Sequence, residues 1–160
     1  MGFELAALLG FDDQRLHSLR NQLMGTTTLR REAVSAMKFP AKICSLLEEI
    51  REHKSHRSAA YYHRNIQQYF EDAFRAVQEL QRVLRPGGRA VLVLQNSYYK
   101  EVPVPLSDLF CELGIAHGLT GQVLVRKPVK RTMTSVNTRS RKYDVTRTYT
   151  EDVLLLEKSL

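Results

Sequence analysis

Tryptophan is absent from the chain, cysteine occurs twice, and no run of apolar residues approaches the ~18 needed to cross a membrane. Each shortage excludes something. Cys44 and Cys111 are too few and too isolated for a disulfide framework or a thiolate metal centre. Both lie in apolar helical contexts, which predicts buried, reduced thiols in a cytoplasmic protein. His53, His56 and His63 beside Cys44 fit no tetrahedral ligand spacing, so no metal is expected. The opening residues, MGFELAALLGFDD, carry neither the basic stretch nor the small-residue cleavage site of a secretory signal. The serine or threonine that would complete a myristoylation pattern after Gly2 is missing too. No nucleophile elbow or Cys/His arrangement supports a hydrolase. No residue receives a catalytic role.

At 160 residues the chain is long enough for one domain with a real core, and its moderate charge argues against wholesale disorder. That charge is unevenly placed. Residues 1–120 hold 15 Lys/Arg against 13 Asp/Glu. Residues 121–150 hold eight basic side chains (Arg126, Lys127, Lys130, Arg131, Arg139, Arg141, Lys142 and Arg147) against Asp144 alone. A single segment therefore carries the whole excess, the footprint of a polyphosphate partner. A solvated surface loop is the plainer alternative.

The first half of the chain reads as helical. Phe3, Leu5, Ala6, Leu8 and Leu9 crowd a short helix that Gly10 would end. Asp12 or Asp13 caps a second, running to about Met24 with Leu16, Leu19 and Leu23 on one face. Pro40 suits the first position of a third, with Ile43, Leu46, Leu47 and Ile50 inward. After a polar, basic loop from His53 to Ser58, apolar spacings of three and four predict a long helix from about Ala60 to Leu84.

Pro86-Gly87-Gly88 then stops the helix, and Ala90-Val91-Leu92-Val93-Leu94 follows without alternation. Such a run predicts a strand covered on both faces, as in a doubly wound parallel sheet. Ligands in such sheets sit at the carboxyl ends of the strands, which here means Asn96, Ser97, Tyr98 and Tyr99. Beyond it, Pro103 and Pro105 frame a turn, and Ser107 caps a short helix ending at Gly114. Gln122–Arg126 and Asp152–Glu157 are two further strands separated by the basic loop 126–148.

The wording RVLRPGGRAVLVL is similar to the fifth-strand segment of class I S-adenosylmethionine-dependent methyltransferases. FELAALLGFDDQRLHSLRNQLMGTTT resembles the segment that follows the catalytic Pro-Pro-Tyr motif in site-specific DNA amino-methyltransferases. YYHRNIQQYFEDAFRAVQELQRVLRPGG resembles the helix leading into their fifth strand. The glycine-rich cofactor loop and the Pro-Pro-Tyr motif themselves have no counterpart, and no Pro-Pro occurs anywhere.

The resemblance implies an α/β fold: the carboxy-terminal half of a Rossmann-like methyltransferase sheet. It would have three strands, the last two antiparallel, preceded by a helical region over residues 1–58, all in a single partial domain. It also implies methyl transfer from S-adenosylmethionine to adenine N6 or cytosine N4 of DNA. The cofactor would be bound mainly by the missing half. Asn96, Ser97, Tyr98 and Tyr99 would line the target-base pocket or approach the cofactor, unless they are an ordinary polar loop. The eight basic residues of 126–147 would grip DNA. Because the strand neighbouring AVLVL is missing, that strand is expected at an exposed edge, pairing with a companion polypeptide or with another copy. A non-catalytic DNA-binding or scaffold remnant of the fold is the rival expectation. Arg15, His17, Arg20 and Thr26–Thr28 are candidates for substrate or partner contact, and Tyr61 and Tyr62 for base stacking; exposed helix polarity and core packing are their plain alternatives.

Overall fold

Asp12 opens the first described helix of the computed structural model, which describes residues 10, 12–30, 37–129 and 147–160. Its carboxylate accepts from the Arg15 N–H at 2.6 Å and caps α1 (Asp13–Gln22), as the sequence predicts. This helix buries none of its residues, and Leu19 and Leu23 stand exposed. The helix expected over Phe3–Leu9 lies outside the described residues.

α2 (Ala41–Glu52) turns Ile43, Leu46, Leu47 and Ile50 inward, the face its periodicity predicts. Arg57, held at φ +62°, then leads into a π-helical turn, Ser58–Tyr62. That turn runs directly into α3 (His63–Val83), whose Phe70, Ala73 and Val77 are buried. The last carbonyls of α3 have a partner from far along the chain, because Lys158 Nζ donates to Gln81 O at 2.8 Å and to Leu84 O at 3.0 Å. Gly87, at φ +69°, reverses the chain and donates its N–H to Lys158 O at 2.9 Å.

β1 (Arg89–Gln95) follows, then a short hairpin of β2 (Ser97–Tyr99) and β3 (Val102–Val104). Gln95–Tyr99, expected as a polar loop, is thus partly strand, and Pro103 sits within β3 rather than in a turn. α4 (Leu106–Ala116) packs against all three strands of the main sheet, which is completed by β4 (Leu119–Pro128) and β5 (Thr150–Lys158). Two expectations about α4 change. Ser107 lies inside the helix and directs its hydroxyl to Asp152, leaving Pro105 at the cap. Gly114 does not end the helix; a Cβ there would stand 2.7 Å from Leu156 Cδ2, so its value is close approach to the sheet.

The main sheet has the order β1-β5-β4, with β5 antiparallel to both neighbours. The last two strands therefore form the expected antiparallel pair, and the architecture is mixed helix and sheet. On the inner face, Leu154, Leu156 and Leu119 meet Leu109, Phe110 and Leu113 of α4 in one core shared with α2 and α3.

The outer face departs from expectation. Ala90, Leu92 and Leu94 of β1 turn inward, but Val91 and Val93 point the other way and are each 61% exposed. β1 is covered on one face, not on both. In register beside these valines lie Leu155 and Val153, and Val125 pairs with Val153 from the far strand. The side chains alternate correctly for a two-sided sheet, but no described helix packs on the second side.

Candidate functional site

Two stretches singled out from the sequence, Asn96–Tyr99 and the basic segment, come together at the carboxyl end of β1. Asn96 brackets the chain returning from that segment: its Oδ1 accepts from the Thr150 N–H at 2.6 Å and its Nδ2 donates to Thr148 O at 3.1 Å. The Tyr98 hydroxyl donates to Thr148 O at 3.0 Å and accepts from the Thr148 N–H at 3.2 Å. Arg147 adds a 2.8 Å bond to Lys100 O and lies 5.7 Å over the Tyr98 ring, which also meets Tyr149 edge-on. Asn96 and Tyr98 thus act as a side-chain strand edge, satisfying backbone groups of Thr148 and Thr150 beyond the last β1–β5 pair, Gln95 with Glu151.

The other root of the segment is held from β4. Arg126 Nε donates to Asp152 Oδ2 at 2.9 Å, and its Nη2 reaches Asp108 Oδ1 at 2.9 Å and Ser107 Oγ at 3.2 Å. Asp152 is only 1% exposed, while Arg126 reaches it from the surface. The bond to Asp108, and after it the bond to Asp152, raises the Arg126 pKa further above its already high value. Val129 N–H to Tyr149 O closes the base at 2.8 Å.

Of the eight basic candidates, Lys130, Arg131, Arg139, Arg141 and Lys142 lie outside the described residues. Lys127 is exposed. Arg126 and Arg147 hold the two roots of the segment, a role the sequence reading did not assign them. Among the four pocket candidates, Ser97 is exposed, and Asn96 and Tyr98 are committed to backbone. Tyr99 is turned into the core at 6% exposure.

The Tyr99 hydroxyl sits in a directed chain. Ser58 Oγ gives its single proton to Ile50 O, so Tyr99 must donate to Ser58 (2.8 Å), and Ser55 must donate to Tyr99 (2.6 Å). His53 packs edge-on to the Tyr99 ring and pairs through Nε2 with Glu101 at 2.9 Å. That bond is the main reason the Glu101 pKa is lowered. The network orders loop 53–58 against the β2–β3 hairpin.

Thr26–Thr28 are also structurally employed. Asn65 donates to Thr26 O at 3.1 Å, Tyr61 to Thr27 O at 2.7 Å and Gln68 to Thr28 O at 3.1 Å. Arg30 closes the row on Asp72 through two 2.6 Å bonds. Tyr61, Asn65, Gln68 and Asp72 form one face of the π turn and α3, a rail along which the segment after α1 is strapped. Tyr62 packs against Tyr61 and Tyr99, and Lys100 Nζ stands 5.7 Å from its ring. Of the two thiols, Cys44 is exposed, contrary to expectation, and Cys111 is half-buried, with a pKa raised chiefly by burial.

Among the described residues there is no cluster of three metal-ligating side chains, and no helix is long and apolar enough to cross a membrane. A shallow depression of about 310 Å³ on the open sheet face is lined by Thr120, Gly121, Gln122, Leu155 and Glu157. No family model, no curated protein and no solved structure matches the chain.

Proposed function

We propose that this chain is the carboxy-terminal half of a methyltransferase-like sheet, acting with a companion polypeptide in S-adenosylmethionine-dependent methylation of DNA amino groups. The observation that carries the reading is the difference between the two edges of the main sheet. The β4 edge has the features that protect an edge: a bulge at Leu124, charged Arg126 and Lys127, and Pro128 at its end. The β1 edge has little of this protection. It is seven residues in unbroken register with β5, with no proline and no bulge, and Arg89 as its only charge, tied to Glu157 at 2.9 Å. A long regular apolar edge that is left open templates another strand. The open aliphatic face of Val91, Val93, Val153 and Leu155 beside it needs a covering layer. One companion carrying the first half of the fold meets both needs.

The cofactor does not fit this half by itself. The polar groups at the carboxyl end of β1 that would face it, those of Asn96 and Tyr98, are spent on Thr148 and Thr150. S-adenosylmethionine would bring the methyl group, held by the companion. This chain's own contribution is the added strand and an anchored basic segment that holds DNA phosphates. The same commitment of Asn96 and Tyr98 favours the second reading, a DNA-binding remnant without chemistry.

Co-purification from the native host separates the two. A stoichiometric companion bearing a glycine-rich loop and a Pro-Pro-Tyr motif, with methylation by the pair, supports the split enzyme. A chain that emerges alone, binds DNA and does not associate through β1 leaves the remnant.

A further inference from the structure

From His53 to Arg64 the chain reads HKSHRSAAYYHR, with three Lys/Arg, three His and no acid. Lys54, Arg57 and Arg64 are exposed and make no ion pair with any described residue. By contrast, Arg51 pairs with Glu48, Arg82 with Glu79, and Arg89 with Glu157. Other exposed cations without an ion pair among the described residues, Lys38, Arg75, Arg85 and Lys127, are scattered along the chain, whereas these three fall within eleven residues.

The loop that carries Lys54 and Arg57 is held in place, and Arg64 follows in the first turn of α3. The Ser55 N–H bonds to His53 Nδ1 at 3.0 Å, the Ser58 N–H to Ser55 O at 3.1 Å, and Ser55 Oγ to Tyr99. Arg57 occupies the left-handed region, where a bulky residue persists only when its surroundings demand it. The same bonds fix where the loop lies. Through Tyr99 and Glu101 it abuts the hairpin that holds Lys100, and Lys100 O receives Arg147. Arg57 and Arg147, 90 residues apart in sequence, therefore lie on segments that are both tied to the β2–β3 hairpin.

We propose that Lys54, Arg57 and Arg64 form a second phosphate-contacting surface for duplex DNA, on the side of the β2–β3 hairpin where Arg147 is anchored. The inference rests on the DNA-facing reading above but concerns different residues. Residues 53–60 hold no large apolar side chain that could enter a bilayer, so a lipid surface is the poorer fit. Contacts of this kind carry no sequence information. They set affinity and register on the duplex.

The test uses the full chain and a labelled duplex of about 20 base pairs, with binding followed by anisotropy across a salt series. The variant K54A/R57G/R64A removes the cations, and glycine keeps the left-handed backbone at position 57. The expected result is a plot of log affinity against log salt shallower by about 2 to 3, an affinity at low salt reduced at least ~10-fold, and an unchanged thermal midpoint. An unchanged slope overturns the inference.

A parallel variant, R139A/R141A/K142A, separates it from the wider reading. If only that variant flattens the slope, the second surface is wrong and the DNA-binding reading stands. If only K54A/R57G/R64A does, the second surface stands and the segment's role falls. Wild-type protein that ignores the duplex at low salt overturns both. Tighter binding to duplex RNA of the same sequence overturns the assignment to DNA.

Discussion

The hydroxyl of Tyr98 meets both backbone groups of Thr148, accepting from its N–H at 3.2 Å and donating to its carbonyl at 3.0 Å. One side chain on the β2–β3 hairpin thereby fixes the direction in which the chain returns from the basic segment. Tyr98→Phe removes the hydroxyl, keeps the ring against Arg147 and Tyr149, and leaves an N–H and a carbonyl without this partner. The expected cost is about 1–2 kcal/mol in a denaturant melt. Amide exchange at Thr148 should accelerate, while the buried strand β5 beyond Asp152 keeps its protection. Equal exchange at Thr148 in both proteins would refute the clamp.

This clamp also shows where sequence reading ran out. The presence of the described helices was legible because their signals are local. Asp12 lies three residues before the N–H it caps, and Ile43, Leu46, Leu47 and Ile50 repeat at helical spacing. The antiparallel pairing of the last two strands was expected too. Partners from far along the chain were not legible. Ser107 reads as a helix cap until Asp152, 45 residues later, takes its hydroxyl. Asn96 and Tyr98 read as open polar residues until Thr148 and Thr150 arrive beside them. The five apolar residues of AVLVL were the hardest case. A strand packed on both faces and a strand whose second face stands open have the same composition.

Gln68 serves the strap after α1 from both ends of its amide. Oε1 accepts from the Arg30 N–H at 2.9 Å, and Nε2 donates to Thr28 O at 3.1 Å. Gln68→Glu retains the acceptor and loses the donor, whereas Gln68→Ala loses both. The expected order of stability is wild type, then Glu, then Ala, with Ala lower than wild type by about 1–3 kcal/mol. Limited proteolysis should find new cleavage between residues 26 and 30. If Glu and Ala are indistinguishable, the acceptor contributes nothing; if Glu matches wild type, the donor contributes nothing.

Lys158 joins the end of the sheet to the end of α3, donating to two carbonyls that have no helical partner of their own. Its charge also suits the negative end of the helix. Lys158→Met keeps most of the aliphatic stem and removes the ammonium. A loss of about 1–2 kcal/mol is expected, and it should shrink in high salt only in part, because direct hydrogen bonds remain the larger share. Chemical denaturation at two salt concentrations checks both statements.

His63 and His117 both have pKa values lowered from 6.5, chiefly by burial. For His63, Arg51 adds to the lowering, and His117 lies edge-on to Phe74 with ring centroids 4.3 Å apart. Near neutral pH both are uncharged in the folded and unfolded chains and cost nothing. As pH falls through 6.5 the unfolded chain takes up protons first, so stability declines until the folded values are passed. The thermal midpoint should therefore fall between about pH 7 and pH 5. His63→Gln with His117→Gln should flatten that part of the profile; an unaltered slope would show that other groups control it.

The two sheet edges give the most discriminating comparison. Val91 and Val93 are exposed beside an unprotected edge, and Leu124, also exposed, is the bulged residue of the protected one. Val91→Lys with Val93→Lys should change the stability of the isolated chain by no more than about 0.5 kcal/mol per site, because neither side chain fills the core. The same pair should abolish association with a companion, or with a second copy, in sedimentation velocity. Leu124→Lys should leave association intact, since the bulge, Arg126 and Lys127 already keep strands away from that edge. Equal losses from both variants would mean that general surface hydrophobicity drives association. A loss confined to the valines would locate the missing strand beside β1.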